Sequence, residues 1–166
     1  FFARAVDNNL KLMSEVMFEA ARHDGTSIIE IMQNCIIFND KAFEHIAAKD
    51  LRDETQIFLK NGEPLIFGKN RDKGIRLNGL KLEVVQLGEN GVTEDDLIVH
   101  DQYERDPTLH LMLAKMRPPL YPVAMGVIRS AVFSTYDDLV VEQNEQARAE
   151  SPIKNVDDLL NSGDTW

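Results

Sequence analysis

Cys35 is the only cysteine in the chain, and it stands in Gln33-Asn34-Cys35, ahead of Ile36, Ile37 and Phe38-Asn39-Asp40. A thiolate here could attack a carbonyl, but that chemistry needs a cationic neighbour to lower the thiol pKa, and the sequence shows none beside it. Two readings of Cys35 remain: a small buried hydrophobe, or one wall of a ligand site. Gln33, Asn34, Phe38 and Asn39 are candidates through position. They follow an apolar strand, and open α/β sheets bind ligands in the crevice at the carboxyl ends of their strands.

Other chemistry is sparse. His23, His45, His100 and His110 are far apart and lack the short spacings of a metal site. His100 and Asp101 could form an acid-base pair, yet adjacent residues on an extended segment point to opposite faces, so two solvent-facing polar side chains are expected there. No serine has a nucleophile-elbow context, and neither GxGxxG nor GxxxxGKS/T occurs. The run Gly68-Lys69-Asn70-Arg71-Asp72-Lys73-Gly74 could grip a phosphate or carboxylate, or could be a solvated turn.

The elements that must position these residues begin at the first residue. Phe1 to Ala5 is a short apolar strand; Asp7 is expected as N-cap of a helix whose Leu10, Met13, Met17, Ala20 and Ala21 recur at helical spacing. Asp24-Gly25 ends it. Ser27 to Met32, rich in β-branched residues, then reads as a buried strand of a parallel sheet, which completes a strand-helix-strand crossover.

Lys41 to Leu59 predicts one or two short helices over the sheet edge. Strands are expected at Pro64 to Phe67, Ile75 to Leu77 and Lys81 to Leu87, the last two paired through a type I′ turn centred on Asn78-Gly79. Thr93 with Asp96 and Thr135 with Asp138 have capping-box spacing, and Asp106-Pro107 opens a helix carrying a Leu109, Met112, Leu113 and Met116 stripe. Val123 to Arg129 reads as a further strand, Tyr136 to Ala149 as a surface helix and Val156 to Leu160 as a last turn or two.

Composition narrows the partners. With 166 residues, 43% of them hydrophobic, the chain can bury one modest core. A net charge of −10 argues against nucleic acid and against an anionic membrane. There is no apolar stretch of membrane-spanning length and no signal core, so a cytoplasmic protein is expected. One cysteine cannot supply the four thiolates of an iron-sulfur cluster.

Val6-Asp7, Gly25-Thr26-Ser27, Ile29-Glu30-Ile31, Gln33-Asn34-Cys35 and Phe38-Asn39-Asp40 together resemble the β subunit of 2-oxoacid:ferredoxin oxidoreductases, the 2-oxoglutarate type in particular. The likeness continues through Ile66 to Leu77, Pro122 to Arg129 and Leu160 to Trp166. It implies an α/β fold: residues 1–60 as the C-terminal part of a thiamine-diphosphate-binding wound parallel sheet, and residues 61–166 as a mixed strand and helix extension. The family's cluster cysteines, Gly-Asp-Gly diphosphate motif and magnesium ligands have no counterpart here, so the resemblance is to the C-terminal half of the subunit.

The resemblance implies an enzyme that decarboxylates a 2-oxoacid on thiamine diphosphate with Mg²⁺, sends electrons through a 4Fe-4S cluster to ferredoxin and forms acyl-coenzyme A with an α subunit. The fragment alone is expected to bind none of these cofactors and to be inactive. Asn34, Cys35, Phe38 and Asn39 would lie near the cofactor, the amides hydrogen bonding and Phe38 forming an apolar wall; alternatively Asn34 and Asn39 tie the loop's backbone together. Exposed apolar surface would favour self-association. A pyruvate-type relative and a non-catalytic interaction module are the other readings.

Overall fold

The computed structural model describes residues 1–163; Asp164, Thr165 and Trp166, which close the last string compared above, lie outside them. Phe2–Val6 forms strand β1, Leu10–Arg22 helix α1 and Ile28–Met32 strand β2. β1 and β2 pair in parallel, Phe2 with Ile28 through Val6 with Met32. Alternation along β1 divides its contacts, because successive side chains leave opposite faces. Ala3 and Ala5 pack with Val16 of α1, while Phe2 joins the cluster on the other face.

Asp7 is not the cap that the sequence suggested. The N-cap is Asn9, whose side-chain oxygen accepts from the Leu12 N–H at 3.2 Å. Asp7 is engaged by the loop after β2.

The chain then crosses the carboxyl ends of these strands in two single-turn helices, α2 (Glu44–Ala47) and α3 (Arg52–Thr55). Ile46 of α2 is buried against Val6, Met32, Val123 and Met125. Gln56–Phe58 follows as strand β3, inside the Lys41 to Leu59 stretch for which short helices are expected. Its existence rests on parallel pairing with strand β7 (Val123–Arg129), Gln56 opposite Val123, since three residues carry no periodic signal of their own. The sheet runs β2-β1-β7-β3. β7 is antiparallel to β1, so the fold is α/β as expected while the sheet is mixed rather than parallel.

β2 departs from the expectation of a buried strand. It is the sheet's edge, with Ile28 59% and Ile31 37% exposed and only Met32 buried. An apolar strand is covered on its second side only when a neighbour pairs with it, and among the described residues none does.

A second, three-stranded sheet joins β4 (Ile66–Phe67), β5 (Lys73–Asn78) and β6 (Lys81–Gln86). Asn78 pairs with Lys81, so the hairpin turn is centred on Gly79-Leu80, one residue later than expected. Gly79 has φ 61° and Asn78 is not left-handed, which fits a turn with its single positive φ at the first central position. Gly74 in β5 is required by packing: a Cβ there would lie 2.4 Å from Leu97 Cδ2. Leu97 follows a one-turn 3₁₀ helix, Glu94–Asp96, whose capping box is formed as predicted, Thr93 N–H donating to Asp96 Oδ2 at 2.8 Å.

Helix α4 (Thr108–Ala114) starts one residue later than read; Asp106 Oδ1 accepts from the Thr108 N–H at 2.7 Å. Its stripe lies where predicted. Leu113 and Met116 are buried with Ile57, Ile75, Leu82 and Ile128, and Leu109 and Met112 pack against them. The main sheet is therefore covered by α1 on one face and by α4 with the smaller sheet on the other.

Arg4 binds these layers together. It is 2% exposed, and its guanidinium donates to Glu30 Oε2 at 2.6 Å, to the Ala114 carbonyl at 3.0 Å and to the Ala124 carbonyl at 3.3 Å. His100 corrects another expectation. It is wholly buried, Nε2 donating to the Val127 carbonyl at 2.9 Å, with the His110 ring edge-on at 6.1 Å. The segment after the 3₁₀ turn Glu94–Asp96 is drawn inward by pairing of Val99 with Pro64, which sequence adjacency to Asp101 could not reveal.

Contacts divide the chain into Phe1–Val132 and a second unit from Phe133 on. The second holds α5 (Tyr136–Glu150) and α6 (Val156–Leu160). The expected capping box is present, Thr135 Oγ1 donating to Asp138 Oδ2 at 2.7 Å and accepting from the Asp138 N–H at 3.1 Å. Among the described residues no helix is long and apolar enough to cross a membrane.

Replacing Arg4 by Met strands the buried Ala124 carbonyl and the partly buried Ala114 carbonyl and leaves Glu30 without its cation. A loss of about 3 kcal/mol is expected, read as a lowered urea midpoint at unchanged slope. Burial, the largest cause, holds the His100 pKa below its ordinary 6.5, with the Val127 hydrogen bond opposing and the His110 charge adding. Above pH 6.5 the ring is neutral in both folded and unfolded chains. As pH falls below that value the unfolded chain takes up a proton that the folded one resists, so stability declines with falling pH. Denaturation midpoints measured across this window should fall for the native chain and fall less for His100→Asn.

Candidate active-site edge

Parallel register of β1 and β2 brings their carboxyl ends level: Val6 pairs with Met32, and the Asp7 N–H donates to the Met32 carbonyl at 3.1 Å. The Asp7 carboxylate then accepts from the Asn34 N–H at 3.0 Å. Asn34 in turn spans the loop. Its Nδ2 donates to Asp40 Oδ1 at 3.0 Å and its Oδ1 accepts from the Lys41 N–H at 2.7 Å. Across the loop the Asn39 N–H donates to the Cys35 carbonyl at 2.9 Å. Lys41 leaves the loop with φ 61°, a left-handed conformation that costs a side-chain-bearing residue about 1 kcal/mol and survives only where its surroundings impose it.

This bracing holds up an apolar tip. Ile36, Ile37 and Phe38 are 79%, 87% and 89% exposed. Beneath the loop, a cleft of about 250 Å³ is lined by Asp7, Asn8, Asn34, Lys41, Phe43 and Glu44 among others. Asn8 closes one side by donating from Nδ2 to the Ala47 carbonyl at 2.9 Å, and the exposed Lys41–Glu44 pair, 3.8 Å apart, adds little stability.

The four residues singled out by sequence meet different surroundings. Asn34 lines the cleft and ties the loop's backbone, one of the two roles read for it. Cys35 is half-buried and free. Asn39 is exposed and bridges to Cys35 through its backbone, while Phe38 stands in solvent rather than in the cleft. Asp7, Asn8 and Lys41 were missed as cleft residues. The signal for Asp7 was available: it directly follows a strand at the same sheet edge as Gln33.

Asp7 and Asn34 are committed to the loop, Asn8 Nδ2 is tied to the Ala47 carbonyl and the Lys41 ammonium lies beside Glu44, so the edge offers a neighbour a fixed backbone and shape more than free polar groups. His100 and His110 do approach, but His110 is committed: its Nε2 donates to the Asp101 carbonyl at 2.7 Å and its Nδ1 accepts from Arg129 Nη1 at 3.0 Å. Among the described residues no group of three or more His, Cys, Asp or Glu could hold a metal ion.

No family model matches the chain, and no solved structure matches it. A curated protein does: 2-oxoglutarate oxidoreductase subunit KorB of Mycobacterium tuberculosis, 34% identical over 169 residues that include the whole of this chain. This chain is a relative of that subunit. It spans 44% of the relative's length. The resemblance carried by Gln33-Asn34-Cys35 and the strings after it is thereby borne out at the level of this oxidoreductase subunit, along the whole chain rather than in one motif.

Asn34→Ala removes both side-chain braces of the loop. About 1 kcal/mol of local stability should go with them, seen as several-fold faster hydrogen exchange at the Lys41 and Asn39 amides. Unchanged protection there would show that Asp7 and the Cys35–Asn39 bridge suffice.

Proposed function

We propose that the chain is part of the β subunit of a cytoplasmic 2-oxoglutarate:ferredoxin oxidoreductase. The enzyme removes carbon dioxide from the 2-oxoacid, passes the two electrons released to ferredoxin and joins the acyl group to the coenzyme A thiol. The observation that carries this is the 34% identity to KorB along the entire chain. In this reading residues 1–60 belong to the thiamine-diphosphate-binding domain and residues 61–166 to the subunit's extension.

The residues present do not themselves fit the cofactors. Asp7 and Asn34, the polar groups at the sheet edge, are spent on the loop. The sequence has no Gly-Asp-Gly, and one cysteine cannot hold a 4Fe-4S cluster. Thiamine diphosphate, Mg²⁺ and the cluster are therefore assigned to other parts of the enzyme, and the chain taken alone is expected to be inactive. Its own contribution is the wall beside the cofactor: the braced loop with Asn34, Cys35, Phe38 and Asn39, whose rigid backbone can orient a neighbour without an ordering cost.

The α subunit is the partner expected for the exposed tip. The unpaired β2 edge, with Ile28 and Ile31, needs a strand to cover it, and self-association of the isolated chain follows from the same surface. Purification from the host through a tag placed after residue 166 should recover a complex that reduces viologen dye only with 2-oxoglutarate and coenzyme A. In that complex Asn39→Ala should lower kcat/KM roughly tenfold, about 1.4 kcal/mol of transition-state stabilisation. A complex without this activity would overturn the reading; unchanged kinetics in the variant would remove Asn39 from the site.

A further inference from the structure

The Gly68–Gly74 run, left open between an anion grip and a solvated turn, borders a second cleft of about 290 Å³. Phe58, Pro64 and Ile66 give it an apolar lining, and most charges around it are paired; the Asp72 carboxylate, in the same run, is held by Gln86 Nε2 at 3.0 Å and not by a cation. Lys60 Nζ lies 3.3 Å from Glu63 Oε1, and Asp53 Oδ1 lies 3.7 Å from Arg52 Nε. Lys73 Nζ donates to Glu54 Oε2 at 2.6 Å, and Glu54 Oε1 also accepts from the Lys69 N–H at 3.1 Å. That double hold keeps the Glu54 carboxyl below the usual carboxylate range. The side chains of Lys69 and Arg71 enter no ion pair among the described residues. Two uncompensated cations therefore line one small cleft.

Two further observations point the same way. Arg71 adopts φ 52°, a conformation glycine takes freely and arginine does not, in a run that already uses Gly68 at φ 94°. A strained residue that keeps a long cation is more economically explained by the cation than by the turn. Gln56, 2% exposed, also lines the cleft; its Nε2 donates to the Ile46 carbonyl at 2.8 Å, while its Oε1 has no hydrogen-bond partner among the described residues. A buried acceptor left unpaired is destabilising, and a donor supplied by a ligand would satisfy it.

We propose that this cleft binds a small dianion carrying its own hydroxyl donor, with Lys69 and Arg71 holding the charge and Gln56 Oε1 accepting the hydroxyl. A phosphorylated polyol and a hydroxy-dicarboxylate share that chemistry. The site is separate from the β1–β2 edge and does not depend on the oxidoreductase reading.

Isothermal titration of the intact native assembly with sn-glycerol 3-phosphate and, separately, with malate distinguishes the two sources. One of them should bind, more weakly as salt is raised. Arg71→Gly relieves the left-handed backbone while deleting the cation, so it should fold at least as well and bind at least tenfold more weakly. Lys69→Gln, on an exposed side chain, should do likewise. Binding of neither compound at millimolar concentration, or equal affinity in both variants, would overturn the proposal.

Discussion

A guanidinium cannot shed its charge in a protein interior, so a buried arginine must be met by acceptors on every side. Arg4 sits in the middle of β1, and its acceptors come from three different places: Glu30 opposite it on β2, the Ala124 carbonyl on β7 and the Ala114 carbonyl ending α4. The last of these also places a cation at a helix C-terminus, where the backbone dipole favours it. Phe2 lies under the guanidinium at 5.8 Å. Sheet and helix must assemble together for this charge to be tolerated, and the register of β1 on β2 is set by the same pair.

That register determines what happens at the carboxyl edge. Once Arg4 faces Glu30, Val6 faces Met32, and Asp7 is left beside the start of the loop whose Asn34 amide it accepts. The loop is then closed by Asn34 and by the Cys35–Asn39 bridge. Its ordering cost is met within the fold, so the exposed Ile36-Ile37-Phe38 tip stands ready rather than needing a partner to shape it.

The mixed sheet has a similar dependence at its other side. β7 carries Gly126 at φ 97°, where a Cβ would meet the Leu59 carbonyl oxygen at 3.1 Å, so β3 and the residue after it can approach closely. The irregularity between Phe2 and Ala3 in the β1–β7 ladder lies nearby. His100, fixed to Val127 of the same strand, adds a neutral ring to that packing. Thus a segment that reads as polar surface becomes part of the core.

Local chemistry was legible in the amino-acid sequence. β1, α1 and β2, the β5–β6 hairpin, the capping boxes at Thr93 and Thr135 and the α4 stripe were all readable, as was the kinship carried along the whole chain. Each rests on residues a few positions apart, where spacing alone sets which groups meet. Contacts between distant residues were decided by the tertiary structure. β3 became a strand through β7, β2 became an edge because no other strand among the described residues pairs with it beyond β1, and His100 was drawn inward by pairing of Pro64 with Val99. Asp7 passed from helix cap to loop brace because β1 and β2 lie in register. These outcomes depend on which surfaces compete for burial and for hydrogen bonds in three dimensions, and no local pattern of side chains encodes that competition.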